Sequence, residues 1–298
     1  MRILNFGSLN IDRVYKVEHF VRPGETISSR SYQCFPGGKG LNQSIAAARA
    51  GQRVYHAGTI GADGDMLEKV LLDGGVDTRY LRKTEGVTGH ALIQVSGTGE
   101  NCIILFPGSN ESNDRDYIDS VLADFEEGDI LMLQNEISNP DYLLRRGREK
   151  GMRIMLNPSP MDDYLRQADL TGVTWLMLNE TEGHEMTGEE EPKAILDRLT
   201  ERYPDLCVIL TLGGDGAVCR LGKEEITQPC YPARAVDTTA AGDTFTGYFA
   251  AAMVEKKSLA DALRLAACAA AIAVSREGAA VSIPERADVE ARMNGEAD

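Results

Sequence analysis

The feature that most restricts this chain is an alternation of two periodicities. Short apolar runs stand at Ile3–Gly7, Val54–Thr59, Ile130–Leu133, Arg153–Asn157, Trp175–Leu178 and Val208–Thr211. Between them lie stretches of helical spacing at Gly40–Ala50, Asp65–Leu72, Arg115–Phe125, Pro140–Lys150 and Pro192–Tyr203. Strand and helix in turn predict an α/β fold with a mainly parallel sheet covered on both faces. Such a sheet binds ligands beyond the carboxyl ends of its strands. The polar residues at those ends are Asn10, Asp12, Glu136, Asn157, Asn179 and Thr211.

Two regions break the alternation. Val14 to Phe35 has β-type residues around a Pro23-Gly24 turn, and Ala91 to Phe106 reads as a hairpin with its turn at Ser96–Asn101. They form either a small separate sheet acting as a lid or extra edge strands of the main sheet. No linker, repeat or low-complexity tract divides the 298 residues, a length that one large α/β domain can fill.

Composition excludes several partners. A net charge of −15 opposes nucleic acid and anionic membrane surfaces. The longest apolar run, Ala266–Val274, is too short to span a membrane and reads as a core helix. The chain enters its first strand without a signal-like segment, so a cytoplasmic protein is expected. The six cysteines contain no Cys-x-x-Cys pair and read as buried free thiols in a reducing compartment. The four histidines are dispersed and suggest no metal site.

Five segments carry candidate chemistry. Ala240-Ala241-Gly242-Asp243-Thr244-Phe245 is a small-residue turn opening a helix, where bare N–H groups and the helix dipole favour an anion. Asp243 is there either as a helix cap or as a base taking a proton from a hydroxyl. Pro36–Gln43 is a glycine-rich turn into a helix, suited to close backbone approach but lacking the spacing of a Walker phosphate loop. Asn10 and Asp12 alternate on an extended segment and point the same way, either toward sugar hydroxyls or into a turn. Asn179-Glu180-Thr181-Glu182 is either a capped helix start or a carboxylate near a magnesium shell. Thr211–Gly216 suits a loop hugging a nucleotide.

The order of these segments resembles the ribokinase-like carbohydrate kinases, the PfkB family. The resemblance spans nearly the whole chain: Gly7–Asp12, Pro23–Thr26, Gly37–Gln43, Asn179–Glu182, Thr211–Gly216 and Asp237–Phe245. Gly-Gly-Lys-Gly-x-Asn-Gln and the later Ala-Val-Ser-Arg-Glu-Gly-Ala are most similar to the ribokinase branch. The resemblance implies a single domain over 1–298, a ribokinase-like three-layer sandwich, with lid segments at approximately 13–36 and 88–107. It implies ATP-dependent phosphorylation of a sugar primary hydroxyl, with D-ribose giving ribose 5-phosphate. Asp243 would be the base, with the backbone N–H groups of Ala241, Gly242 and Asp243 as the anion hole. Asn10, Asp12, Gly38, Lys39, Asn42 and Glu136 would hold the sugar. Asn179, Thr211, Gly213, Gly216 and Gly242 would hold ATP, and Glu182 would order Mg2+ through water. A K+ site would use Asp237, Thr239, Ser282 and the carbonyls of Ala273, Arg276 and Gly278. A homodimer through the lid is also implied.

Other substrates stay open at this point: a nucleoside, another sugar or a sugar phosphate. A phosphosugar needs cations, and only Arg13, Lys39 and His90 are near the sugar residues. A non-catalytic sugar or nucleotide sensor would have lost Asp243 or Gly242, and both are present. Two departures from the family pattern stand out. Tyr248 follows Gly247 where a small residue is usual, which predicts changed helix packing and a partner for its hydroxyl. Ala267 stands where a histidine can meet adenine, which predicts a looser base pocket.

Overall fold

Ile3 and Leu4 are neighbours in sequence, both wholly buried, and they belong to different cores. The same division runs across the sheet: Ile130 and Met132 face one core, Leu131 and Leu133 the other. Strands buried on both faces must be apolar at every position, which is why they appear in the sequence as unbroken runs. The computed structural model describes residues 1–295. Residues 296–298, included in the expected single domain, lie outside the described residues.

The chain runs β1 (Ile3–Phe6), β2 (Asn10–Lys16), β3 (Ser31–Gly37), α1 (Lys39–Arg49), β4 (Val54–Ile60), α2 (Asp65–Asp73), β5 (Asp77–Lys83), β6 (Gly89–Val95) and β7 (Asn101–Phe106). Then come α3 (Arg115–Leu122), β8 (Ile130–Gln134), α4 (Pro140–Glu149), β9 (Arg153–Asn157), α5 (Asp163–Gln167), β10 (Val173–Asn179), α6 (Glu180–Thr187) and α7 (Pro192–Arg202). The last part holds β11 (Cys207–Thr211), β12 (Ala217–Leu221), β13 (Glu224–Gln228), α8 (Ala241–Val254), α9 (Leu259–Ala273) and α10 (Arg286–Met293).

The main sheet has nine strands in the order β13-β12-β11-β10-β9-β8-β1-β4-β5. All pairs from β11 to β5 are parallel, and β12 and β13 add an antiparallel edge. Residues of α1, α2, α8 and α9 fill one core, and residues of α3, α4 and α7 the other, which makes the expected three layers. The edge strands β5 and β13 and the inner strand β12 extend beyond the six strands expected from apolar runs. An edge or end strand needs less apolar surface, so β5 and β13 carry charges and are only half-buried or exposed. The second sheet, β3-β2-β6-β7, is separate from the first. This resolves the lid regions as their own sheet.

One reading of the cysteines is corrected. Cys207, Cys219 and Cys268 are buried, whereas Cys34, Cys102 and Cys230 are exposed. Cys102 lies in an apolar run, but that run is β7, an edge strand of the lid with every residue exposed. Among the described residues, no helix is long and apolar enough to cross a membrane.

Small residues bring α1 and α8 together. A Cβ on Gly247 would lie 2.4 Å from Ala46 Cβ and 2.7 Å from Ala47 N, so α8 can approach α1 only with glycine there. The next residue, Tyr248, is wholly buried and donates its hydroxyl to the Pro284 carbonyl at 2.8 Å. That is the partner its burial demands.

Candidate active site

The glycines of the Gly37–Gly40 turn set α1 against β1 and β2. Gly38 has φ 97, and a Cβ on Gly40 would meet Ser8 N at 2.3 Å. The close approach points Lys39, Asn42 and Gln43 toward the carboxyl end of the sheet. The Lys39 N–H and the Ser8 hydroxyl both donate to Glu136 Oε2, the former at 3.1 Å. Ser8 and Glu136 follow β1 and β8, which are adjacent strands.

Asp243 lies in the first turn of α8 and is buried. Its Oδ2 accepts from Asn42 Nδ2 and its Oδ1 from Gln43 Nε2, both at 3.0 Å. Ala240 precedes the helix at φ 60, a strained conformation for alanine. The turn engages the Ala241 N–H, which donates to the Thr238 carbonyl at 3.2 Å. Of the three N–H groups expected to face an anion, those of Gly242 and Asp243 are free of this contact. Helix geometry gives these no partner within α8.

The charges around this turn are coupled. Burial alone would lower Lys39, but the carboxylates of Asp243, Glu136 and Glu182 outweigh it and hold the ammonium above its ordinary range. Burial raises Glu136, with Asp243 adding to the effect and Lys39 and Ser8 opposing it. Asp12 is pushed up to about 7, first by burial and then by Glu136. Asp12 lies so close to Gly37 that a Cβ there would fall 2.2 Å from its carboxylate.

Three cavities are lined by residues of this region. One of about 420 Å³ is lined by Asn10, Leu105, Asn110, Glu136, Ile137 and Tyr164 among others. A second of about 230 Å³ holds Lys39, Asn179, Glu182, Thr211, Gly242 and Asp243. The third, of about 520 Å³, shares Thr211 and Gly242 with the second and runs past Gly213, Gly216, Tyr231 and Ala267. Its far wall carries Ala267, Ala270 and Ala271, a surface of methyl groups.

Asn179 and Glu182 form a reciprocal cap. Asn179 Oδ1 accepts from the Glu182 N–H at 2.9 Å, and Glu182 Oε2 accepts from the Asn179 N–H at 3.0 Å. The capping reading of this motif holds, and the same two residues also face the middle cavity. Glu182 keeps one oxygen unbonded among the described residues, which suits an oxygen-bound divalent cation that retains water.

Behind the turn, the Asp237 carboxylate ties two segments together. It accepts from the Thr239 N–H at 2.9 Å and the Gly278 N–H at 3.0 Å. Burial works to raise Asp237, and the Thr239 and Gly278 donors outweigh it and hold the carboxyl below its usual range. Ala273 and Arg276 are joined by one backbone hydrogen bond of 3.0 Å, and Ser282 is buried with its hydroxyl on the Ala279 carbonyl at 2.8 Å. A carboxylate, a hydroxyl and backbone carbonyls are the oxygen donor types that suit a monovalent cation.

Four buried polar residues escaped the sequence reading. Asn110 donates to Asn10 Oδ1 at 2.8 Å and holds the Leu9 backbone at both N–H and C=O. Ser8 and Gln43 sat inside quoted motifs without a role. Gln134 ends an apolar strand and gave no signal of its own.

Comparison with known proteins follows the same lines. Residues 2–286 match the family described as pfkB family carbohydrate kinase. The ribokinase of Haemophilus influenzae is 36% identical over 292 residues, covering 94% of both chains. The ribokinase of Cryptococcus neoformans, solved with ADP, superposes with a TM-score of 0.85 at 35% identity, covering 98% of this chain and 99% of that one. The Arabidopsis thaliana ribokinase, solved with ribose and ATP, gives 0.87 at 33% identity, covering 97% of both.

Proposed function

This chain belongs to the pfkB family of carbohydrate kinases and is a ribokinase-type ATP-dependent sugar kinase, and we propose that its substrate is D-ribose, phosphorylated on the primary hydroxyl. The observation that carries the reading is the position of Asp243. Its carboxylate and the free N–H groups of its turn share the middle cavity with Lys39 and Glu182. Lys39 is in turn bonded to Glu136 of the sugar-side cavity.

Asn10, Asp12, Gly38, Lys39, Asn42 and Glu136 hold the sugar. ATP lies along Asn179, Thr211, Gly213 and Gly216, with its γ-phosphoryl group at Gly242. Asp243 takes the proton of the primary hydroxyl as that oxygen bonds to the γ-phosphorus. The bond from phosphorus to the ADP oxygen breaks, and the Gly242 and Asp243 N–H groups with Lys39 stabilise the charge on the phosphoryl oxygens. Glu182 would help to hold Mg2+, which would neutralise phosphate charge. Asp237, Thr239, Ser282 and the carbonyls of Ala273, Arg276 and Gly278 would hold K+, whose binding would steady the turn before Gly242. A phosphosugar is disfavoured because Glu111, Glu136, Asp141 and Asp162 all line the sugar-side cavity.

Residues 1–298 are read as one domain with the lid at about 13–36 and 88–107, the lid also forming a homodimer interface. Limited proteolysis checks the first point, since one domain is cut only at its lid turns. The free thiols suit the cytoplasm, which cell fractionation checks.

An ADP-release assay across ribose, deoxyribose, fructose, fructose 6-phosphate, adenosine and uridine tests the substrate. Ribose should give the highest kcat/KM. A nucleoside or phosphosugar ranking above it contradicts the proposal.

A further inference from the structure

A buried chain of side-chain amides runs from the centre of the sheet to Asp243, and its direction is fixed from both ends. At the far end Asn5 donates through Nδ2 to the Gly40 carbonyl at 2.8 Å and to the Ser44 hydroxyl at 2.9 Å. A backbone carbonyl only accepts, so Asn5 must turn Oδ1 the other way. That oxygen accepts from Gln134 Nε2 at 3.0 Å, and the second hydrogen of Nε2 goes to Gln43 Oε1 at 2.7 Å. Gln43 is left with Nε2 for Asp243, where an ionised carboxylate also only accepts.

Neither glutamine can flip without setting oxygen against oxygen. The arrangement leaves Gln134 Oε1 buried with no partner among the described residues. A Cβ on Gly7 would lie 2.5 Å from that oxygen, so residue 7 must be glycine for the amide to sit there. An orphaned buried acceptor is unfavourable, and its presence here keeps both donors of Nε2 in use.

We propose that Gln43 and Gln134 are positioning residues for phosphoryl transfer. Gln134 sets which end of the Gln43 amide faces Asp243, and Gln43 then sets the orientation of the carboxylate toward the sugar hydroxyl. The inference rests on Asp243 being the base. Both glutamines are buried and line none of the three cavities, so they act on rate and not on substrate binding. Between buried groups, an amide oxygen turned toward the carboxylate would repel it where the N–H now attracts it.

The test uses Gln134→Met, which removes both donated hydrogens, and Gln134→Glu, which lets Gln43 turn its oxygen toward Asp243. With ribose and ATP, kcat should fall about 10-fold in the first and about 100-fold in the second, the scale of a lost hydrogen bond to a charged group. KM for both substrates should stay within about threefold, since neither side chain touches them. If the glutamate variant does not fold, Gln134→Met alone carries the test, and Gln43→Met replaces it should it also fail. Wild-type kcat in a folded variant, or a loss confined to KM, overturns the inference. Asp243→Asn is measured alongside: an inactive Asp243→Asn with unaffected glutamine variants sinks only this inference, whereas an active one sinks the base itself.

Discussion

Asn42 donates to Asp243 Oδ2 across 3.0 Å, joining the first helix of the chain to the eighth over 201 residues of sequence. The contact exists because Gly247 lets α8 settle on Ala46 and Ala47 of α1. Asn42, proposed as a sugar contact, is thus also bonded to the proposed base.

The first prediction concerns that double role. Asn42→Ala should lower kcat/KM for ribose by about 10- to 100-fold, the scale of a buried partner lost from a charged group. The loss should appear in both kcat and KM, because one side chain acts on both. Steady-state kinetics on a variant with native circular dichroism checks it, and a change in KM alone counts against the contact with Asp243.

Asp12 makes a prediction about pH. Its carboxyl titrates at about 7 in the folded protein, raised by burial and by Glu136. In an unfolded chain an aspartate titrates near about 4. Between those values the folded protein holds a proton that the unfolded chain has released, so this group makes stability fall as pH rises through the window. Asp12→Asn removes the effect. Its Tm should match wild type near pH 4, exceed it increasingly up to pH about 7, and hold that gap above. In the wild type, KM for ribose should fall as pH rises through about 7 if Asp12 holds the sugar as proposed, because an ionised carboxylate is the better acceptor for hydroxyls. A Tm difference that does not vary with pH contradicts the assignment.

How much of this was readable in the sequence depended on burial. β1, β8, β9, β10 and β11 are covered on both faces, so they stand out as apolar runs. β5 and β13 lie at sheet edges, where charged residues are tolerated and the pattern dissolves. The same reasoning misplaced Cys102, whose apolar run belongs to an exposed lid edge. Asp243 was legible because its turn needs small residues at fixed spacing. Gln134 was not, since one glutamine after Ile130–Leu133 looks like any strand end. Only the fold shows that it meets Asn5 and Gln43 there.

The cation site predicts a response to monovalent ions. Activity should be higher in potassium than in sodium at equal ionic strength, and Asp237→Ala should lose the difference. Equal rates in both ions would remove K+ from the account.

The lid predicts the assembly. Ile103, Ile104, Leu105 and Phe106 are all roughly half exposed along the edge strand β7, with Tyr32 and Phe35 exposed on β3 at the opposite edge. Apolar edges of this kind invite pairing with another chain. Sedimentation at assay concentration should give the mass of two chains, and Ile104→Lys should shift it toward one. A monomeric wild type contradicts the lid interface.

The central claim is that Asp243 removes the proton of the attacking hydroxyl. Asp243→Asn keeps the size of the side chain, removes the basic carboxylate and turns one of its two acceptor oxygens into a donor facing Asn42 or Gln43. The account predicts a folded protein with near wild-type KM for ribose and ATP and a kcat lower by about two orders of magnitude or more. Turnover close to wild type in that variant would contradict it.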